Sequence, residues 1–203
     1  MSSSGTRMDR VEALRAAKRF IAMIEPYTDQ IIIAGSLRRR LPTIGDIEIV
    51  AVPKIGVMEI QTLKLFGSEI ERRDVDLLDG VMTRILESGA ISKRLDMNGA
   101  PRWGPALKYL DYEGVRVDLF TCGADRLGWI TMLRTGPAEF SRQLVVPRDR
   151  LTKDARYGLM PPYIAAKDGW LTYRTSGESI ATPTEQSVFD LFGLIYREPW
   201  ERS

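Results

Sequence analysis

The run Gly45-Asp46-Ile47-Glu48-Ile49-Val50 sets two carboxylates two residues apart in an otherwise apolar, β-branched stretch. Side chains of a strand alternate between faces, so Asp46 and Glu48 point to one side of a sheet and Ile47, Ile49 and Ala51 to the other. Two like charges this close repel, and with no Lys or Arg inside the strand a shared divalent cation is the simplest compensation. Oxygen ligands and an octahedral preference make Mg2+ the fitting ion. Asp118 interrupts a second apolar run, Val115-Arg116-Val117-Asp118-Leu119-Phe120-Thr121, in the same manner. If the two strands are neighbours, Asp46, Glu48 and Asp118 form a trio able to hold two metals roughly 3.5–4 Å apart for in-line phosphoryl chemistry. The other reading of Asp46 and Glu48 is an edge strand whose acidic side chains face water.

The segment just upstream weighs on that choice. Ile31-Ile32-Ile33-Ala34 reads as a short buried strand running straight into Gly35-Ser36-Leu37-Arg38-Arg39-Arg40. A tight glycine turn there can feed a helix N-terminus, whose free N–H groups and dipole attract anions. The arginines behind it add charge for a polyphosphate, although three in a row also make an ordinary solvated face.

Composition narrows the chemistry further. The chain of 203 residues is 44% hydrophobic and 28% charged, which is ordinary for one globular core with a satellite subdomain. It holds no histidine, which removes Ser-His-Asp and Cys-His nucleophiles and every imidazole-ligated metal site. Any metal must be a hard ion held by oxygen. Lys and Arg outnumber Asp and Glu by 29 to 27, a near balance that still allows local basic patches. No stretch approaches the roughly 20 apolar residues that span a bilayer, and the polar first six residues are not a signal peptide. The sole cysteine, Cys122, cannot close an internal disulfide and reads as a buried small hydrophobe, so a reducing, cytoplasmic setting is expected.

The elements that must position these groups follow from periodicity. Residues 8–24 predict an amphipathic helix with Val11, Leu14, Ile21 and Ile24 on its apolar side, ended by Pro26. Residues 46–52 predict the acidic strand, and 54–74 an irregular excursion with one short strand or helix. Residues 75–88 place Leu77, Leu78, Val81, Met82, Ile85 and Leu86 on one helical face, with Gly89 as terminator. Residues 106–112 and 115–121 predict a hairpin joined by Glu113-Gly114. Helices over 125–133 and 138–146 are separated by Thr135-Gly136-Pro137, and strand-like pieces follow at 151–159 and 170–174. A last helix has Thr182 at the N-cap, Pro183 in the first turn and Glu185 at the capping-box position. The four tryptophans read as packing anchors.

Strand, Gly-Ser turn, arginines, spacer, then Gly-Asp-x-Glu on the next strand resembles the signature of the nucleotidyltransferase superfamily, most closely that of the family X DNA polymerases. Arg116-Val117-Asp118-Leu119 is similar to the strand bearing that family's third catalytic aspartate. Arg134-Thr135-Gly136 lies where the family carries an aromatic-Thr-Gly turn, and the run from Tyr196 to Ser203 resembles its C-terminal end. The likeness extends from about residue 10 to the terminus, apart from residues 54–105.

The resemblance implies an α+β chain. A nucleotidyltransferase palm, with a mixed or antiparallel sheet flanked by helices, would span residues 1–134, the first seven being a disordered tail. A small C-terminal α/β subdomain contacting nucleotide and DNA would span 135–203. It further implies that Asp46 and Glu48 are shared by catalytic and nucleotide metals and that Asp118 lies near an attacking 3′-hydroxyl. Gly35, Ser36, Arg39, Gly45, Thr135 and Gly136 would contact the nucleotide. Two Mg2+ ions, or Mn2+, would serve as cofactors. The partners would be a nucleoside triphosphate and a primed or gapped DNA duplex, held by Arg142, Arg148, Arg150, Lys153 and Arg156 if these are not merely a solvated surface. A monomer is the default.

Departures from the family pattern are Glu48 in place of aspartate, Leu133 and Arg134 in place of an aromatic pair, and Ala138 and Ser141 in place of larger polar side chains. The family has a cis peptide after the glycine of this turn. A Gly136-Pro137 bond pays only about 0.5–1 kcal/mol for cis, against roughly 2.5–4 for other residues, so it is predicted cis. Glu48 also leaves open a small-molecule or protein nucleotidyltransferase of the antibiotic-modifying type, and a module that binds nucleotide without catalysis is a third reading.

Overall fold

The computed structural model describes residues 7–64, 67–96 and 98–202, so the expected tail lies outside the described residues except for Arg7. A two-residue strand β1 (Met8–Asp9) leads into α1 (Arg10–Ile24). Asp9 caps this helix, its carboxylate accepting the Val11 N–H at 2.7 Å. The buried stripe of α1 is Ala13, Ala16, Ala17, Phe20 and Ile24. Small alanines let the helix approach the sheet closely, whereas Val11, expected on that face, is 54% exposed.

Then come β2 (Thr28–Ile33), α2 (Gly35–Arg38), β3 (Thr43–Ile44) and β4 (Ile47–Pro53). Strands β5 (Ile55–Lys64) and β6 (Gly67–Asp76) precede α3 (Leu77–Glu87). Four strands follow, β7 (Ile91–Lys93), β8 (Trp103–Gly104), β9 (Leu107–Tyr112) and β10 (Val115–Thr121). The C-terminal part holds α4 (Leu127–Thr135), α5 (Ala138–Leu144), β11 (Ile164–Lys167), β12 (Trp170–Tyr173), β13 (Ser179–Ile180) and α6 (Glu185–Phe192).

The main sheet has the order β2-β4-β10-β9-β7, with β8 added on β9. Its β4–β10 pair is parallel and its other pairs are antiparallel, so the sheet is mixed. On one face Ile47, Ile49, Ala51, Val117 and Leu119 pack against α1 and against Leu78, Val81 and Met82 of α3. On the other, Val50, Val52, Phe120 and Cys122 meet Ala34 and Leu127. A further cluster of Trp129, Met132, Phe140, Leu144, Ile164, Leu171, Val188, Phe189 and Phe192 joins α4, α5 and α6 to the three-stranded sheet β11-β12-β13. The fold class is α+β, and no helix among the described residues is long and apolar enough to cross a membrane.

Three expectations need correction. The stretch read as irregular is a regular hairpin, paired from Ile55 opposite Asp76 to Lys64 opposite Gly67. It forms a sheet of its own and leaves Ile55, Val57, Met58 and Ile70 exposed. Adjacent Val57 and Met58 fall on opposite faces, so no period-two pattern marks it. The strand-like piece at 151–159 is an irregular loop closed by a bridge between Leu151 and Tyr157. The strand is instead β11, turned into β12 by Asp168-Gly169, both at positive φ as a two-residue hairpin requires. The last helix is capped by Thr184, whose Oγ1 accepts the Ser187 N–H at 3.1 Å. Thr182 is buried in the chain crossing before it, its carbonyl accepting the Gly128 N–H at 2.8 Å.

Candidate active site

Strand β4 lies between β2 and β10, so Glu48 is not on a sheet edge. The parallel register sets Asp118 directly opposite Glu48, and both belong to the face that continues into Val50 and Phe120. Asp46 stands immediately before β4, on the same side by alternation. Burial, then the charges of Asp46 and Asp118, push the Glu48 carboxyl up to about 8, against the pull of Arg134 and Arg39. Burial pushes Asp118 up to about 6, with Arg94 opposing and Asp46 adding to the rise. Three acidic groups from two stretches of chain thus feel one another.

The glycine-serine bend closes one side of this group. The Ala34 N–H donates to the Glu48 carbonyl at 2.8 Å, which ties the end of β2 to β4. Gly35 has φ +64°, and a Cβ there would lie 1.8 Å from Glu48 Oε2, so only glycine fits both the backbone and the approaching carboxylate. Ser36 Oγ is buried without a protein partner. Arg39 donates through Nη1 to the Thr135 carbonyl, and a Cβ on Gly136 would come within 2.8 Å of that nitrogen. Burial lowers the Arg39 pKa, while Glu48 and Asp46 oppose the fall. Gly35, Ser36, Arg39, Thr135 and Gly136 therefore gather beside Glu48, whereas the Cα of Gly45 faces open space. The Gly136–Pro137 bond is cis.

Several contacts at this place carried no sequence signal. Arg38 donates to Thr135 Oγ1 at 2.9 Å and to Glu185 Oε2 at 2.6 Å. Glu185 also accepts from the buried Arg202 at 2.7 Å. Burial alone would raise the Glu185 carboxyl, but the bonds from Arg202 and Arg38 prevail and hold it below its ordinary value. Arg40 stacks on the Trp200 ring, 3.4 Å from its centroid. The three consecutive arginines are thus not a merely solvated face: each reaches into the C-terminal part of the chain. Arg94 forms an ion pair with Asp118, and Arg134 lies 4.1 Å from the Phe120 ring centroid. These partners are far apart in sequence, so no spacing rule could have paired them.

The basic residues assigned to DNA divide. Arg142 is taken up by Asp154 at 2.5 Å and Glu139 at 3.3 Å, and Arg148 Nε donates to the Leu159 carbonyl at 3.0 Å. Arg148 is nevertheless exposed, as are Arg150, Lys153 and Arg156. Trp129 is buried in the C-terminal core, whereas Trp200 is 44% exposed against Arg40. Cys122 is buried, and burial pushes its thiol up to about 11. It is a packing group.

The hard oxygens of Asp46, Glu48 and Asp118 suit a divalent cation, since burial and mutual repulsion are what raise Glu48 and Asp118. Among the described residues no three acidic or cysteine side chains are drawn close enough to grip an ion as they stand. Asp118 is held by Arg94 instead.

Residues 131–203 match the family described as DNA polymerase beta thumb. Over 199 residues the chain is 25% identical to DNA polymerase lambda of Rattus norvegicus, covering 97% of this chain and 33% of that protein. The chain is thus similar, over nearly its whole length, to DNA polymerases of the beta and lambda kind. It spans about a third of the length of the curated relative that it matches. The thumb match takes in α5, α6 and the β11-β12-β13 sheet. The wider likeness takes in the sheet that carries Glu48 and Asp118, and Asp46 just before it.

Proposed function

We propose that the chain is a Mg2+-dependent nucleotidyltransferase that adds nucleotides from (d)NTP to a DNA 3′-hydroxyl, in DNA repair or end processing. The observation that carries this reading is the register of the parallel pair, which puts Asp118 beside Glu48 on the face next to the Gly35-Ser36 bend. Residues 1–134 would act as the palm and 135–203 as the nucleotide- and DNA-contacting subdomain. Gly35, Ser36 and Arg39 would receive the triphosphate through backbone N–H groups, a hydroxyl and a guanidinium. Asp46, Glu48 and Asp118 would hold two Mg2+ ions, which supply Lewis-acid polarisation of the α-phosphate. The 3′-oxygen forms a bond to the α-phosphorus as the bond to the bridging oxygen breaks, and pyrophosphate departs. Asp118, beside the attacking hydroxyl, would accept its proton. Thr135 and Gly136 would support the sugar, with Arg134 where the family has an aromatic ring.

A second reading rests on Glu48, whose carboxylate is one methylene longer than aspartate and packs onto Gly35. It takes a small molecule or a protein as acceptor. Incubation with a primed, gapped duplex, labelled dNTP and Mg2+ decides between them: the first reading expects primer extension, the second a label on another acceptor. Asp118→Asn should abolish transfer while nucleotide binding persists, and near-normal turnover would remove Asp118 from the reaction.

A further inference from the structure

Arg94 follows β7 in the chain, and its N–H donates to the Tyr109 carbonyl at 3.0 Å. Tyr109 stands opposite Asp118 in the β9–β10 register. The Arg94 guanidinium lies 4.8 Å from the Tyr109 ring centroid and pairs through Nη2 with Asp118. Its side chain is 19% exposed, and its Nη1 is buried with no protein partner. The head therefore keeps an unused donor. It borders a cleft of about 540 Å3 that also includes Asp46, Asn98, Tyr109, Arg116 and Arg134.

We infer that Arg94 is a positioning residue that neutralises Asp118 in the free protein and moves onto a phosphate of the acceptor strand when that strand binds. The inference rests on the transfer reading of this cleft. A divalent cation on the same carboxylates puts positive charge beside the guanidinium, which then needs another anion. A phosphodiester entering the cleft offers two oxygens, which the planar fork of Arg94 takes bidentately using the nitrogen that now has no partner. Arg94 and a cation thus compete for Asp118, and the acceptor strand settles the competition. Because linkage is reciprocal, strand binding tightens cation binding by the factor by which the cation tightens strand binding.

The test is Mn2+ binding followed by electron paramagnetic resonance, with and without a primed duplex ended in a dideoxynucleotide so that no turnover occurs. In the wild type the duplex should tighten Mn2+ by about 5- to 150-fold, the usual span of such coupling. Arg94→Gln should bind Mn2+ without DNA about as tightly as the wild type does with it, and the coupling should fall towards one. Arg94→Lys keeps the charge and should keep part of the coupling, which separates this role from a folding defect. Arg94→Gln binding Mn2+ no more tightly than the wild type, or coupling that survives in it, would overturn the inference. Failure of the wild type to extend a primer would count against the transfer reading, and the Mn2+ titration reads out separately from it.

Discussion

Replacing Glu185 by glutamine should strip the C-terminal part of much of its stability. The carboxylate is 8% exposed and bridges Arg38, at 2.6 Å, and Arg202, whose side chain is fully buried, at 2.7 Å. Glutamine keeps the shape, but its amide can accept from one guanidinium only while its NH2 faces the other, donor against donor. Removing one partner of a buried ion pair costs about 3–5 kcal/mol, because a charge stays buried without compensation. For a chain of this size each kcal/mol moves the melting midpoint by about 2–4 °C, so Glu185→Gln should melt roughly 6–20 °C lower by circular dichroism. The double variant Glu185→Leu/Arg202→Met, which removes the unpaired cation too, should recover part of the loss. The pH dependence adds a check. The Glu185 carboxyl is held below its ordinary 4.5, so its contribution is present above pH 4.5 and is lost as pH falls through the folded value. The gap between wild type and Glu185→Gln should therefore narrow below pH 4.5. A glutamine variant melting within 2 °C of the wild type at pH 7 would refute this account of the network.

Gly35→Ala would put a methyl 1.8 Å from Glu48 Oε2 at a φ of +64°, so a loss of about 1–3 kcal/mol in a denaturant titration and a collapse of nucleotide binding are expected. Glu48 carries the opposite pH signature to Glu185. Its folded carboxyl keeps a proton up to about 8 that the unfolded chain gives up near 4.5, so the metal-free protein should lose stability as pH rises across that window. The slope is at most about 1.4 kcal/mol per pH unit, and Glu48→Gln should flatten it when urea midpoints are measured from pH 5 to 8.

How much of this was legible beforehand follows from how far each feature reaches along the chain. The faces of β4 and β10 could be read because alternation is a local property: Ile47, Ile49, Val117 and Leu119 turn inward together, and Asp118 shares the opposite face with Phe120. The parallel neighbourhood of the two strands was only a condition in the sequence, since register depends on the whole sheet. The protein partners of the arginine triplet were not legible because charge alone does not disclose a partner; Glu185, Thr135 and Trp200 meet it only in the fold. Arg94 was invisible for the same reason. The β5–β6 hairpin escaped notice because none of its described side chains is buried to impose a pattern.

The arginine triplet also has a mechanical consequence. Side chains of three successive residues are riveted to a carbonyl at Thr135, a carboxylate at Glu185 and an indole at Trp200. Turning the C-terminal portion about any one rivet strains the other two. The bend that would cradle a triphosphate and the portion that would close over it must then travel as one piece or let go together, and a shift at either end is felt at the other without an intermediate position.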